Sequence, residues 1–165
     1  MRKYLILILL LAGCGRLSNE PFVTQTPFYD PADAVRPTAP APIDGDFRDD
    51  TATDLVYHTE ESIRGAPPRP MLVMVYTDYC GNCIAMRPQI HALEAEYWGE
   101  IDFIYLDREA LINYEIITLL DVQSQPEFIL LDVGQEEPIA HWRGAPPIEE
   151  LRAAMDDFLE NRPHP

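Results

Sequence analysis

Positive charge is scarce in this chain. Its 165 residues hold 12 Lys and Arg against 28 Asp and Glu, a net charge of −16. Without Arg2 and Lys3 the remainder carries 10 basic residues against 28 acidic ones, a net −18. A surface of that sign repels phosphate backbones and anionic headgroups. It excludes nucleic-acid binding, or membrane binding, through surface charge. The acidity itself serves solubility. A membrane-spanning run is also missing, because the apolar stretch from Tyr4 to Leu11 falls far short of the roughly 20 residues a span needs. There is no internal repeat, no Ser–His–Asp arrangement and no phosphate-binding glycine loop at a supporting spacing. Cysteine is nearly absent, with only Cys14, Cys80 and Cys83.

What is present begins with "MRKYLILILLLAGCGRL". A basic start (Arg2, Lys3), an apolar run and the small-residue segment "LAGC" (Leu11 to Cys14) follow in order. This resembles the signal and lipobox of bacterial lipoproteins. The resemblance implies cleavage after residue 13 and a lipid on Cys14. It places the mature protein in the cell envelope, lipid-anchored on the extracytoplasmic side of a bacterial membrane. One acyl chain holds a protein only marginally, and the lipoprotein modification supplies several. An odd thiol in an exported chain is then accounted for, and Cys80 and Cys83 remain as an isolated pair in an oxidising compartment.

Residues 14–52 read as an extended linker. Prolines at 21, 27, 31, 37, 40 and 42 and few aliphatic residues disfavour packing. A single domain is expected over 53–162. Leu55, Val56, Thr59 and Ile63 fall at helical spacing, with Gly65 as a stop. "MLVMVY" (Met71 to Tyr76) is continuously apolar and β-rich, as in a strand buried on both faces. A helix follows over Cys83 to Trp98, with Pro88 inside it, where a proline kinks a helix. Ile101 to Asp107 is a second strand and Ala110 to Asp121 a helix. Glu127 to Asp132 and Ile139 to Arg143 form an antiparallel pair about a turn at Gly134. An amphipathic helix with a proline start, Pro146 to Glu160, closes the chain. The order is an α/β pattern with a βαβ unit followed by a hairpin.

"CGNC" (Cys80 to Cys83) falls at the junction of the buried strand and the helix. A helix N-terminus presents unpaired N–H groups and the positive end of its dipole, and both stabilise a thiolate. Two intervening residues let a second thiol lie one turn deeper, where it can attack a mixed disulfide. Other readings of the pair are open. A static disulfide is one, although so short a loop stabilises little. A metal site is another. Structural zinc wants four ligands and two cysteines are free, but Cys80, Cys83 and His141 form a conceivable soft site. Asp107, Asp121 and Asp132 each follow an apolar run and read as turn formers.

The chain resembles the thioredoxin family over about Thr53 to Glu160. The residues that carry the resemblance are "YTDYCGNC" after a strand, Pro88 five residues beyond Cys83, "SQPEFILLD" with Pro126, and Gly144 in "HWRGAPP". The family implies a thioredoxin-like α/β fold, a central mixed sheet flanked by helices. It implies Cys80 as nucleophile, Cys83 as resolving thiol, and a cis Gln125–Pro126 bond facing them. Tyr79, Gly81, Asn82, Gln125 and Pro126 would then shape the substrate surface. Tyr76, Tyr79 and Trp142 are aromatic candidates for that surface, with a core role equally open to Tyr76 and Trp142. Tyr79 stands where the family has Trp, Asn82 where it has Pro, Ile84 where it has Lys, and Met74 where many members bury an acid. Asp78, two residues before Cys80, and Glu127, which follows Pro126, are acids expected near the site, and negative charge there would oppose thiolate formation.

The function so implied is thiol–disulfide exchange with exported cysteine-containing proteins, coupled to a membrane redox partner. No dissociable cofactor is needed, because the cysteines carry two electrons themselves. The alternative is a copper-binding or redox-inactive module on the same fold.

Overall fold

The apolar run at Met71 forms the centre of the fold. In this computed structural model, which describes residues 36–59, 69–133, 135 and 137–162, Met71–Tyr76 is strand β1 and all of its residues are buried. β1 lies inside a mixed sheet of order β2-β1-β3-β4. β2 (Asp102–Asp107) runs parallel to it, Met71 opposite Asp102 and Tyr76 opposite Asp107. Helix α2 (Gly81–Glu96) makes the crossover and continues through Pro88. β3 (Glu127–Leu131) pairs antiparallel with β1, and β4 (Ala140–Arg143) antiparallel with β3. The expected βαβ unit and hairpin are both present. The turn at Gly134 lies outside the described residues.

Alternation along the strands splits the core in two. Leu72, Met74 and Tyr76, with Phe128 and Leu130, pack with Ile90 and Leu93 of α2 and Leu151 and Met155 of α4 (Ile148–Asn161). Met71, Val73 and Val75, with Ile129, pack with Leu55 of α1 (Ala52–Thr59) and Ile117 of α3 (Tyr114–Leu119). Asp54 anchors the start of α1 by accepting the Thr51 backbone N–H at 2.8 Å. Ile63 and Gly65 lie outside the described residues. The helix expected over Ala110 to Asp121 is divided, with a 3₁₀ turn at Leu111–Asn113 before α3.

The linker expectation is corrected for residues 36–50, which pack on the domain. Ala41 and Phe47 are buried. Arg48 pairs with Glu94 at 2.6 Å and donates to the Phe103 carbonyl at 2.8 Å. Asp50 bridges to Leu106 on the outer edge of β2 and accepts the Tyr105 N–H at 2.9 Å. Composition alone hides this strap, because one aromatic ring and two polar side chains with distant partners hold it. Cys14, the leader expected over 1–13 and the linker expected up to residue 35 lie outside the described residues.

Candidate active site

β1 ends at Tyr76, and the chain turns through Thr77, whose carbonyl accepts the Cys80 N–H at 3.2 Å. Cys80 then caps α2 in an extended conformation (φ −75°, ψ 111°). Its sulfur accepts the Cys83 N–H at 3.4 Å. A sulfur held at a helix N-terminus this way has the donor and dipole that a thiolate needs. The Cys80 thiol also lies 3.6 Å from the Gln125 carbonyl oxygen.

Cys83 sits on the first turn of α2, fully buried and packed with Met74, Met86 and Phe128. Burial, and then its hydrogen bond with Cys80, push its thiol up to about 12. Met74, at the position where many members of the family bury an acid, is buried in the same cluster. The two thiols therefore differ in access: Cys80 is partly exposed and Cys83 is not.

Gln125 and Pro126 come to Cys80 from the start of β3, and their peptide bond is cis. Gly144, at φ +89° where a side chain is disfavoured, donates its N–H to the Pro126 carbonyl at 2.9 Å. Gly81 and Asn82 are exposed beside the pair. Tyr79 is 67% exposed, and its hydroxyl donates to Glu109 at 2.6 Å. That hydrogen bond to a carboxylate raises the Tyr79 phenol above its usual range. Tyr76 belongs to the core, and Trp142 is half-buried against it with its indole N–H on Glu150 at 2.9 Å.

The Cys80–Cys83–His141 set is not assembled. On β4, Ala140 and Trp142 pack on the face that holds Cys83, so His141 projects from the other face. There it meets Glu127 at 2.6 Å. Glu127 is likewise turned away from the cysteine pair. Burial acts to raise its carboxyl, but the Ser124 and Gln123 N–H groups and His141 outweigh it and hold the carboxyl below its usual range. Of the aspartates that follow apolar runs, Asp107 accepts the Glu109 N–H at 3.0 Å and Asp132 the Val133 N–H at 2.9 Å, both as turn formers.

Two neighbours of the site escaped the sequence reading. Arg108 and Glu109 follow β2 and, with Thr77, Tyr79, Gln123 and Gln125, line a cavity of about 620 Å³. A usable signal existed: β1 and β2 are parallel, so residues just past their carboxyl ends share one edge of the sheet.

The thioredoxin family model matches residues 58–157. The chain belongs to the thioredoxin family. This thioredoxin-family chain is similar to the thiol:disulfide interchange protein TxlA of Synechococcus elongatus, 33% identical over 100 residues, covering 61% of this chain and 52% of that protein. It is also similar to the chloroplastic thioredoxin X of Arabidopsis thaliana, 30% identical over 93 residues, covering 56% and 50%. The chain spans about half the length of the curated relatives it matches. The solved thioredoxin of Trypanosoma brucei brucei shares the fold, with a TM-score of 0.54 at 20% identity, covering 67% of this chain and 88% of that one.

Proposed function

We propose that this protein is a thiol–disulfide oxidoreductase in which Cys80 attacks and Cys83 resolves. The observation that carries the reading is the asymmetry of the pair. Cys80 is accessible at the N-terminus of α2, its sulfur facing the Cys83 N–H and the Gln125 carbonyl. Cys83 is buried, and its thiol, pushed up to about 12, stays protonated at neutral pH.

The chemistry then runs in two balanced steps. The Cys80 thiolate attacks one sulfur of a substrate disulfide. The substrate S–S bond breaks, a Cys80–substrate disulfide forms, and the other substrate sulfur leaves as a thiolate that takes up a proton. Cys83 next gives up its proton and attacks the Cys80 sulfur. The Cys80–substrate bond breaks, a Cys80–Cys83 disulfide forms, the second substrate sulfur leaves as a thiolate that takes up a proton, and two electrons have passed from the protein to the substrate. Oxidation of a dithiol is the same path in reverse.

The "LAGC" segment supports a lipid on Cys14 and a position outside the cytoplasmic membrane, where exported cysteine-containing proteins are the substrates and a membrane redox protein exchanges the electrons. Replacement Cys14→Ala should move the protein from the membrane to the soluble fraction. Replacement Cys80→Ala should abolish disulfide exchange, and retained exchange would overturn the assignment. Equilibration in glutathione buffers sets the direction: a potential near −270 mV, roughly that of thioredoxin, marks a reductant, and one near roughly −120 mV an oxidant.

A further inference from the structure

Among the described residues, seven arginines (Arg36, Arg48, Arg69, Arg87, Arg143, Arg152 and Arg162) pair with carboxylates. Arg108 does not. Its backbone N–H is fixed on the Tyr76 carbonyl at 2.9 Å, at the end of β1. Its guanidinium donates at 2.8 Å to the side-chain oxygen of Gln125, a neutral acceptor. The carbonyl oxygen of that same Gln125 faces the Cys80 sulfur. A guanidinium has five donors in a fork that suits a carboxylate, and one neutral acceptor leaves most of them available. The side chain lines the cavity beside Cys80. The anion on the same wall, Glu109, is engaged by the Tyr79 hydroxyl at 2.6 Å, and Asp107 accepts the Glu109 N–H.

We infer that this cavity is a carboxylate-binding subsite anchored by Arg108, and that it takes an acidic side chain of the peptide whose sulfur Cys80 attacks. The inference rests on the proposed exchange activity. One glutamine, with contacts of 2.8 Å and 3.6 Å at its two ends, links the guanidinium to the reacting sulfur, a path that an acidic side chain on a neighbouring residue of extended peptide, at about 3.3 Å per residue, can span. The acidic residue therefore belongs within about two positions of the substrate cysteine. In a chain of net charge −16, general attraction does not bring an acidic peptide in. The selection is local.

The test uses the full chain carrying Cys14→Ala, reduced, so that no second accessible thiol competes with Cys80, and peptides whose single cysteine is activated as a 2-pyridyl disulfide. Attack by Cys80 forms the protein–peptide disulfide and releases pyridinethione, which absorbs light. Two peptides of identical composition carry an aspartate either one residue or seven residues from the cysteine. The near peptide should react about fivefold faster, the scale of one partly exposed charge pair. With Arg108→Glu the order should invert, and a near lysine should become the faster partner. A misfolded variant cannot mimic that gain. A near-to-far ratio of one in the parent chain, or one that survives Arg108→Glu, would overturn the subsite. The pyridyl derivatives of N-acetylcysteine and its amide test a main-chain carboxylate, and an Arg108-dependent preference found there and not in the peptides would overturn the peptide assignment. Release that persists in Cys80→Ala would instead count against the exchange activity itself, whatever the ratio.

Discussion

Phe47 stacks on Tyr105, with ring centroids 5.0 Å apart and planes 28° from parallel. The same ring lies edge-on to His91 and tilted against Tyr76, so one residue of the strap closes the core over α2 and two strands. Phe47→Ala removes that ring from a site 7% exposed and should cost about 3 kcal/mol. Chemical denaturation of parent and variant measures it. A fragment starting at Thr53 loses Phe47, Arg48 and Asp50 together, and should melt below one that starts at Arg36.

Glu94 is the buried hub beneath the strap. Its side chain is 1% exposed, one oxygen pairs with Arg48 at 2.6 Å, and the other accepts the Tyr105 hydroxyl at 2.8 Å. Arg48→Met strands that carboxylate and should cost about 3–5 kcal/mol. Adding Glu94→Leu should recover much of the loss, because a buried pair replaced by apolar side chains is often neutral. A double-mutant cycle reads the coupling, and additive losses would show that the pair is not the unit.

Asp50 gives stability a pH dependence opposite to the usual carboxylate. Burial raises its carboxyl from 3.8 to about 6, against the lowering effects of Arg48 and the Tyr105 N–H. Between those values the folded chain keeps a proton that the unfolded chain has released. The contribution of Asp50 to stability therefore falls as pH rises through about 4 to 6. Asp50→Asn keeps an acceptor for Tyr105 and removes the charge. It should stabilise by about 1–2 kcal/mol at pH 7.5 and change little near pH 4. An equal effect at both pH values would contradict the account.

The cysteine pair should be separable by alkylation. Only thiolates react, and a thiol pushed up to about 12 holds roughly one part in ten thousand as thiolate at pH 8. In a reduced Cys14→Ala chain, iodoacetamide should label Cys80 and leave Cys83 untouched until the protein is denatured. Mass spectrometry of the peptides distinguishes the two. Equal labelling in the native state would remove the basis for their separate roles.

Gly81 tests how open the motif is. A Cβ built there meets nothing within 4 Å, and its φ is not positive. Gly81→Ala should raise stability by about 0.4–1 kcal/mol by restricting the unfolded chain. Gly144→Ala meets no steric neighbour either, but its φ of +89° should make it destabilising by about 1 kcal/mol. Thermal melts of the two variants should move in opposite directions.

Local order in the amino-acid sequence determined the strands, the crossover and the position of the cysteine pair. A continuous apolar run, helical spacing, and a C-x-x-C at a strand–helix junction are all written within a few turns of chain. The cysteine capping α2 and Pro126 opening β3 were legible for that reason. Only the tertiary structure decided what meets across long separations. The strap at Phe47, Arg48 and Asp50 reads as linker until Glu94, Tyr105 and Leu106 are in place around it. His141 is one residue out of phase with the face that holds Cys83, so period-two alternation in an assembled sheet removes it from the site. Arg108 looks like any surface arginine in the sequence. Parallel pairing of β1 with β2, and the return of β3 alongside, bring it to Gln125 and hence to Cys80, because pairing of distant strands places side chains that no local pattern connects.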